Sequence, residues 1–332
     1  AGILYTIHFI GFVVVIGLSL FVHGLRGRLI LTVLTTAAYA AALVTAGLAS
    51  HLAVVLAAIF ICGGSGGILE SHTSTMQVMT TRSESEAGTY VSFTQVFFAV
   101  GALLAPVYLA LRGGSADWRG LFFILAAIAV AAFLAGSTVR TRRFDVVRGE
   151  NGTMQVRSLV RVSVALVFYV GAEITLFGWI PTVMELFRDI PVAHARLAPS
   201  VFWMGMLGGR IVIGRLTPRF GARRLLRWSA IVGVGSTIGL TLVVPEAWMW
   251  VMVVITALAS AGIWPLLVAT SGSAGHETAT TIAVASGGIG GAVFPYLAGL
   301  TAEVLPGNFI PLIAAPLFVM VVLLSGRKSV SE

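Results

Sequence analysis

The chain has 332 residues, is 58% hydrophobic and only 10% charged, with a mean hydropathy of +0.98, whereas soluble domains carry about 25% charged residues. That composition excludes a soluble globular domain, and the recurrence of apolar runs near the roughly 20 residues needed to cross a bilayer, without period-two alternation, indicates helices rather than barrel strands. The net charge of +8 is read through the placement of the arginines, with no nucleic-acid partner expected. The single cysteine, Cys62, excludes a disulfide framework or a cysteine metal site. The only lysine is Lys328 and no GxxxxGK[ST] loop occurs, which excludes a P-loop ATPase. No cofactor is expected.

In chain order the apolar runs predict spans at residues 2–23, 28–48, 52–80, 88–111 and 117–138, then 158–184, 197–217, 224–244, 247–270, 278–302 and 307–326. The expected fold is all-α, a polytopic membrane protein of about eleven transmembrane helices. Between the two sets lies TVRTRRFDVVRGENGTMQVR at 138–157, the longest polar segment. The reading is a bundle at 1–138, a cytoplasmic linker at 139–157 and a second bundle at 158–332. Loops on one side are assigned Arg26, Arg28, Arg82, the linker arginines, Arg157, Arg161, Arg210, Arg215, Arg219, Arg223, Arg224, Arg227, Arg327 and Lys328. The other side receives only Arg112, Arg119, Arg188 and Arg196. The positive-inside rule makes the first side and the C-terminus cytoplasmic, in an inner or plasma membrane.

An internal repeat ties the two sets together. VGALLAPVYLAL at 100–111 resembles IGGAVFPYLAGL at 289–300, and SGGIL at 65–69 resembles SAGIW at 260–264. The shared offset relates two halves in parallel. It leaves the span at 158–184 without a first-half counterpart, so the expected complete architecture is six plus six with the opening helix missing here. An upstream reading frame with no apolar span would overturn that expectation.

Two acidic residues, Glu70 and Glu173, fall at membrane depth, where a charge is costly and therefore functional by default. The helical neighbours of Glu70 include Gly63, Gly66, Gly67, Ser74 and Gln77, a small or polar stripe that suits a polyol and a closely packed helix. His72 points away from that stripe, as a helix-contact residue. Glu173 lies between Tyr169 and Trp179, and rings beside a carboxylate suit sugar faces. Trp264 and Trp203 are further aromatic candidates, while Trp248 and Trp250 read as interfacial residues. In GRLTPRFGARR at 214–224, Gly214 and Gly221 allow close packing, while Arg215, Arg219, Arg223 and Arg224 can latch onto helix ends and acidic groups of the other bundle. Gly63-Gly64-Ser65-Gly66-Gly67 satisfies GxSxG, but without a strand before it or a histidine base at matching depth it does not mark an enzyme.

These segments together resemble the major facilitator superfamily and, within it, the fucose permease-like family of sugar–proton symporters. GRLTPRFGARR resembles the superfamily's GxLaDRxGrR loop, with Pro218 at the aspartate position. GGILESHTS places Glu70 on the family's protonatable glutamate and Ser74 on an asparagine. SFTQVFFAVGA at 92–102 keeps Gln95 but has Phe98 where the family has a sugar-binding asparagine, and FYVGAEI at 168–174 is similar to the family's opening of the second half. The resemblance implies proton-coupled uptake of a sugar or similar small polar solute by alternating access. Glu70 would couple the proton, and Glu70, Ser74, Gln95, Glu173, Tyr169, Trp179 and Trp264 would bind solute. The expected partners are that solute and the bilayer, with the chain acting as a monomer if complete. The alternatives are a proton-coupled efflux antiporter and, in other classes, an intramembrane serine protease or a non-transporting sensor.

Overall fold

The structure, a computed structural model, describes residues 2–111, 118–139, 146, 153–242 and 245–325. Among these residues the secondary structure is helical throughout, in the order α1 (Gly2–Leu18), α2 (Gly24–Leu48), α3 (Leu52–Thr80), α4 (Glu84–Leu111), α5 (Trp118–Gly136), α6 (Val156–Phe187), a single turn α7 (Val192–Ala195), α8 (Ala198–Phe220), α9 (Ala222–Thr241), α10 (Glu246–Ser260), α11 (Ile263–Ser271), α12 (Glu277–Ala302) and α13 (Ala314–Ser325). Ten helical spans among the described residues are long and apolar enough to cross a membrane. The eleventh expected span corresponds to α9, whose first two turns carry Arg223, Arg224 and Arg227. Most of the expected linker, residues 140–145 and 147–152, lies outside the described residues.

Two expected spans are present but interrupted, and the placing of two arginines is corrected. The expected span at 247–270 is two helices, because the chain turns at Ala261 and Gly262 between α10 and α11. The expected span at 307–326 begins as a 3-10 segment, Gly307–Ile313, before α13. Arg28 and Arg210 are not loop residues: Arg28 is fully buried in the second turn of α2, and Arg210, 2% exposed, is mid-way along α8. Ten residues separate Arg210 from the end of α8, about 15 Å at 1.5 Å per residue.

Helix association in a bilayer gains little from burying apolar surface, since lipid tails are equally apolar, so small residues that let backbones approach decide the packing. The glycine run of α3 does this against α1. A Cβ at Gly63 would collide with the His8 carbonyl, one at Gly64 with Val15, and one at Gly67 with the Phe12 carbonyl oxygen. The GxSxG match is thus a helix seam, with Ser65 buried inside it. In the second half α6 and α12 make the corresponding seam, where Gly290 meets the Val167 carbonyl and Gly287 meets Val170. Between the halves α4 packs along α8, α1 and α3 pack along α12, and α11 rests on α4.

At one end of the molecule these inter-half contacts become polar and close. Here α2, α4, α6, α9 and α12 begin, carrying most of the arginines. Ser85 and Thr89 of α4 donate to the Thr217 and Gly214 carbonyls of α8, at 3.2 and 3.3 Å. Arg223 of α9 lies 3.5 Å from Glu84 of α4. On the opposite flank Glu277 of α12 accepts from Gly24 N at 3.0 Å and lies 2.5 Å from His23 Nδ1. One turn on, Thr281 accepts from Arg28 Nη1 and pairs with Thr75 of α3, both at 3.0 Å. The arginine-rich end is therefore closed on both flanks.

Candidate functional site

Above this closure, between the halves, lies a cavity of about 340 Å³. Four helices bring the carboxylates, the amide and the guanidinium of its lining: Glu70 of α3, Gln95 of α4, Glu173 of α6 and Arg210 of α8. The Gln95 amide donates to Glu70 Oε1 at 2.6 Å, and the Gln95 backbone carbonyl accepts from Arg210 Nη1 at 2.6 Å. A single residue of the first half is thereby bonded both to the intramembrane carboxylate of its own half and to the guanidinium of the other.

Arg210 is held by aromatic faces. Its guanidinium carbon lies 5.5 Å from the Phe98 ring centre and 5.6 Å from that of Trp203, and the two rings are 5.4 Å apart. Such stacking is favourable for a desolvated guanidinium. Arg210 takes part in none of the ion pairs among the described residues. Its Nε and the Trp203 Nε1 are buried without an acceptor among those residues. Phe9 and Phe12 of α1, Tyr39 of α2 and Trp264 of α11 supply further ring surface, with His8 beside them. The lining thus combines two carboxylates, one guanidinium and a ring-rich wall.

Of the residues expected to bind solute, Glu70, Gln95, Glu173 and Trp264 share this cavity. Ser74, Tyr169 and Trp179 do not. Ser74 is 3% exposed, buried on another face of α3. Tyr169 is fully buried behind Glu173, its hydroxyl donating to the Ser260 carbonyl at 2.9 Å. Trp179 donates from Nε1 to the Pro295 carbonyl at 3.1 Å and packs with Val183 and Ala298. The expected stripe around Glu70 is split: Gly66 opens onto the cavity, Gly63 and Gly67 face α1, and Gln77 bonds Thr94 at 2.5 Å. His72 is buried and contacts Ser19 at 3.1 Å. In the 214–224 segment Gly221 has φ +79 and turns the chain from α8 into α9, while Gly214 lies against the Phe93 ring. Arg223 reaches Glu84 as described. Arg219 stacks on Phe220, and Arg215 and Arg224 are exposed.

Arg210, Trp203 as its clamp, and the α1 aromatics are the lining residues that motif reading underweights. Arg210 carries a signal equal to that of Glu70, because it is a lone charge inside a predicted apolar span.

The described fold and cavity can be set beside known proteins. The family profile of the Major Facilitator Superfamily matches residues 1–295. Bypass of stop codon protein 6 of Saccharomyces cerevisiae is 30% identical over 166 residues, 46% of this chain, and the match spans 33% of that protein's length. Among solved structures the transporter FucP, the fucose:proton symporter of E. coli, superposes in its outward conformation with a TM-score of 0.81 at 15% identity, covering 99% of this chain and 90% of that one. The human organic anion transporter TETRAN gives a TM-score of 0.77 at 15% identity, covering 98% of this chain and 82% of that one.

Proposed function

The chain belongs to the Major Facilitator Superfamily, and from that premise we propose that it is a secondary transporter coupling proton movement to uptake of a sugar or similar small polar solute. The observation that carries this reading is the Glu70–Gln95–Arg210 connection across a central cavity whose arginine-rich end is closed. With the arginine-rich end cytoplasmic by the positive-inside rule, the closed end of the cavity is the cytoplasmic one.

Charge accounting supports proton coupling. With Glu70 and Glu173 both ionised the cavity holds one more negative than positive charge, and closing a low-dielectric site over an unbalanced charge is costly. A proton on Glu70 leaves Glu173 to balance Arg210. The closed-over state is then favoured only when the proton is aboard, which is the differential affinity a coupled transporter needs. Solute hydroxyls can donate to the Glu70 and Glu173 carboxylates, and the rings of Trp203 and Trp264 in the lining offer faces to a sugar's C–H surface.

The ring-rich lining from Phe9, Phe12, Tyr39 and Phe98 favours a second reading, proton-coupled export of a more apolar metabolite. One experiment separates the two. Purified protein in proteoliposomes is given a panel of sugars while external pH is recorded. Uptake by symport gives sugar-dependent external alkalinisation in the wild type, and Glu70→Gln loses it while retaining solute exchange. Accumulation against a gradient by Glu70→Gln overturns the role of Glu70. Silence toward every sugar, with proton-driven clearance of an aromatic dye, moves the reading to export.

A further inference from the structure

Glu70, Glu173 and Arg210 are not the whole titratable lining of the central cavity. His8 of α1 lines it too, half-buried. Its backbone carbonyl is the group that meets Gly63 of α3 in the seam, so the packing of α1 on α3 does not rest on its side chain. The imidazole stands edge-on to the neighbouring Phe9 ring, with centres 5.4 Å apart and planes at 88°, and Phe9 in turn packs over Gly291 of α12. The His8 ring nitrogens make no hydrogen bond among the described residues, and neither is one of the atoms buried without a partner, so both keep access to open space.

Depth separates His8 from Glu70. Along the seam Gly63 lies against His8, Gly67 against Phe12, and His72 contacts Ser19, so α1 and α3 descend together toward the arginine-rich end. Glu70 is seven residues past Gly63, about 10 Å at 1.5 Å per residue. A proton arriving from the end opposite the closure therefore meets His8 first. The ionisable groups around His8 are Tyr39 of α2, Glu70 of α3, Glu173 of α6 and Arg210 of α8 across the cavity, and Tyr5 one turn earlier on α1; Cys62 of α3 packs with Tyr39, and the α4, α11 and α12 lining carries none. Tyrosines and thiols are ordinarily neutral at pH 7, whereas an imidazole changes charge between about pH 5 and 8. With His8 neutral, the carboxylates of the lining outnumber its cation by one. A proton on His8 restores the balance as fully as one on Glu70, so passing it between them leaves no unbalanced charge in a low-dielectric site.

We propose that His8 is a second proton-accepting residue of the cavity, which takes the coupling proton ahead of Glu70 and passes it on. The proposal rests on the proton-coupled reading above. In the transfer an N–H bond of the imidazolium breaks, an O–H bond forms on the Glu70 carboxylate, and the imidazole is left neutral. Water or solute hydroxyls bridge the gap, each accepting one proton and donating another. A water needs about 10–15 Å³ of such space, so a cavity of about 340 Å³ has room for the chain.

The test has two arms. The first needs no solute: the purified chain in detergent is treated with diethylpyrocarbonate, which acylates neutral imidazole, between about pH 5 and 8, and each histidine is read by peptide mass spectrometry. His8 should react, and Glu70→Gln should shift the pH dependence of its reaction while leaving that of exposed His51 in place. The second arm uses proteoliposomes and the sugar panel. His8→Ala should slow net uptake and its alkalinisation at least about tenfold, yet leave sugar exchange, in which the proton stays aboard, at the wild-type rate. Imidazole added outside should restore net uptake in His8→Ala but not in Glu70→Gln. An unreactive His8 beside a reactive His51, or a His8 profile unchanged by Glu70→Gln, overturns the proposal whatever the solute. So does wild-type net uptake in His8→Ala, which leaves the proton-coupled reading standing, and so does joint loss of uptake and exchange without rescue by imidazole, which makes the residue structural. Silence toward every sugar with a reactive, Glu70-dependent His8 strikes the sugar reading and supports His8 as a proton site.

Discussion

The helices α4 and α12 carry similar segments, VGALLAPVYLAL and IGGAVFPYLAGL, yet use them differently. In α12 the shared glycine, Gly290, is pressed against the backbone of α6 at Val167, with Gly287 on Val170 one turn earlier. In α4 a Cβ at the matching Gly101 would meet no atom of the described residues within 4 Å, and its neighbours Phe97 and Leu104 are 79% and 56% exposed. The close contacts of α4 are made lower down, where Gly88 faces Leu266 and Thr217 of the second half. Likeness in sequence therefore records what a helix is able to pack against. Whether the partner is present is a separate fact, and lipid tolerates the uncovered face.

The most damaging change on this comparison is Gly290→Leu. Its side chain meets backbone that has nowhere to move, and overpacking costs about 1–3 kcal/mol even where neighbours adjust. We expect loss of folded protein in size-exclusion profiles, whereas Gly101→Leu should stay within about 0.5 kcal/mol of wild type. A Gly101→Leu protein as damaged as Gly290→Leu would show that α4 has a partner in the membrane.

Next is Arg210→Met, which leaves Glu70 and Glu173 facing each other without a cation. Removing the one cation unbalances the buried charge set, so proteoliposome flux should fall at least tenfold while the protein still inserts and folds. The two flanks of the closed end give a smaller contrast. Glu277→Gln disturbs a buried carboxylate with His23, Gly24 and Arg28 around it, about 1.5–3 kcal/mol, while Arg223→Gln removes a partly exposed pair worth at most about 1 kcal/mol. Spin labels at exposed Ser83 and Arg227 should therefore report a wider opening for Glu277→Gln than for Arg223→Gln. The smallest effect is expected at Trp179→Phe, which gives up one hydrogen bond to Pro295, about 1 kcal/mol, and leaves KM for the solute unchanged. Trp264→Phe, at the cavity, should raise KM.

These outcomes also bear on what the sequence disclosed. The helices were legible because apolar runs of bilayer length have few other uses; Glu70 and Glu173 stood out as carboxylates within such runs, and Gln95 came with the family resemblance. Arg210 did not, because sorting arginines between the two sides assigned it to a loop, although the expected span 197–217 already contained it. Ser74, Tyr169 and Trp179 were misplaced for a different reason. A membrane helix is apolar toward lipid and toward its neighbours alike, so its sequence does not fix its rotation, and the side of α3 or α6 that meets the cavity has no signature. The flank built from His23, Arg28, Glu277 and Thr281 was hidden by distance, since its partners are over 250 residues apart.

The interruption at Ala261 and Gly262 sets off a short helix within the second half. Tyr169 occupies the Ser260 carbonyl at the break, so the interruption has a hydrogen bond of its own. Trp264 of α11 lines the cavity, and Leu266 and Ala269 of the same helix meet Gly88 of α4. One nine-residue helix is thereby both a wall of the cavity and part of the seam between the halves, so a change of packing at either place is felt by the same rigid element.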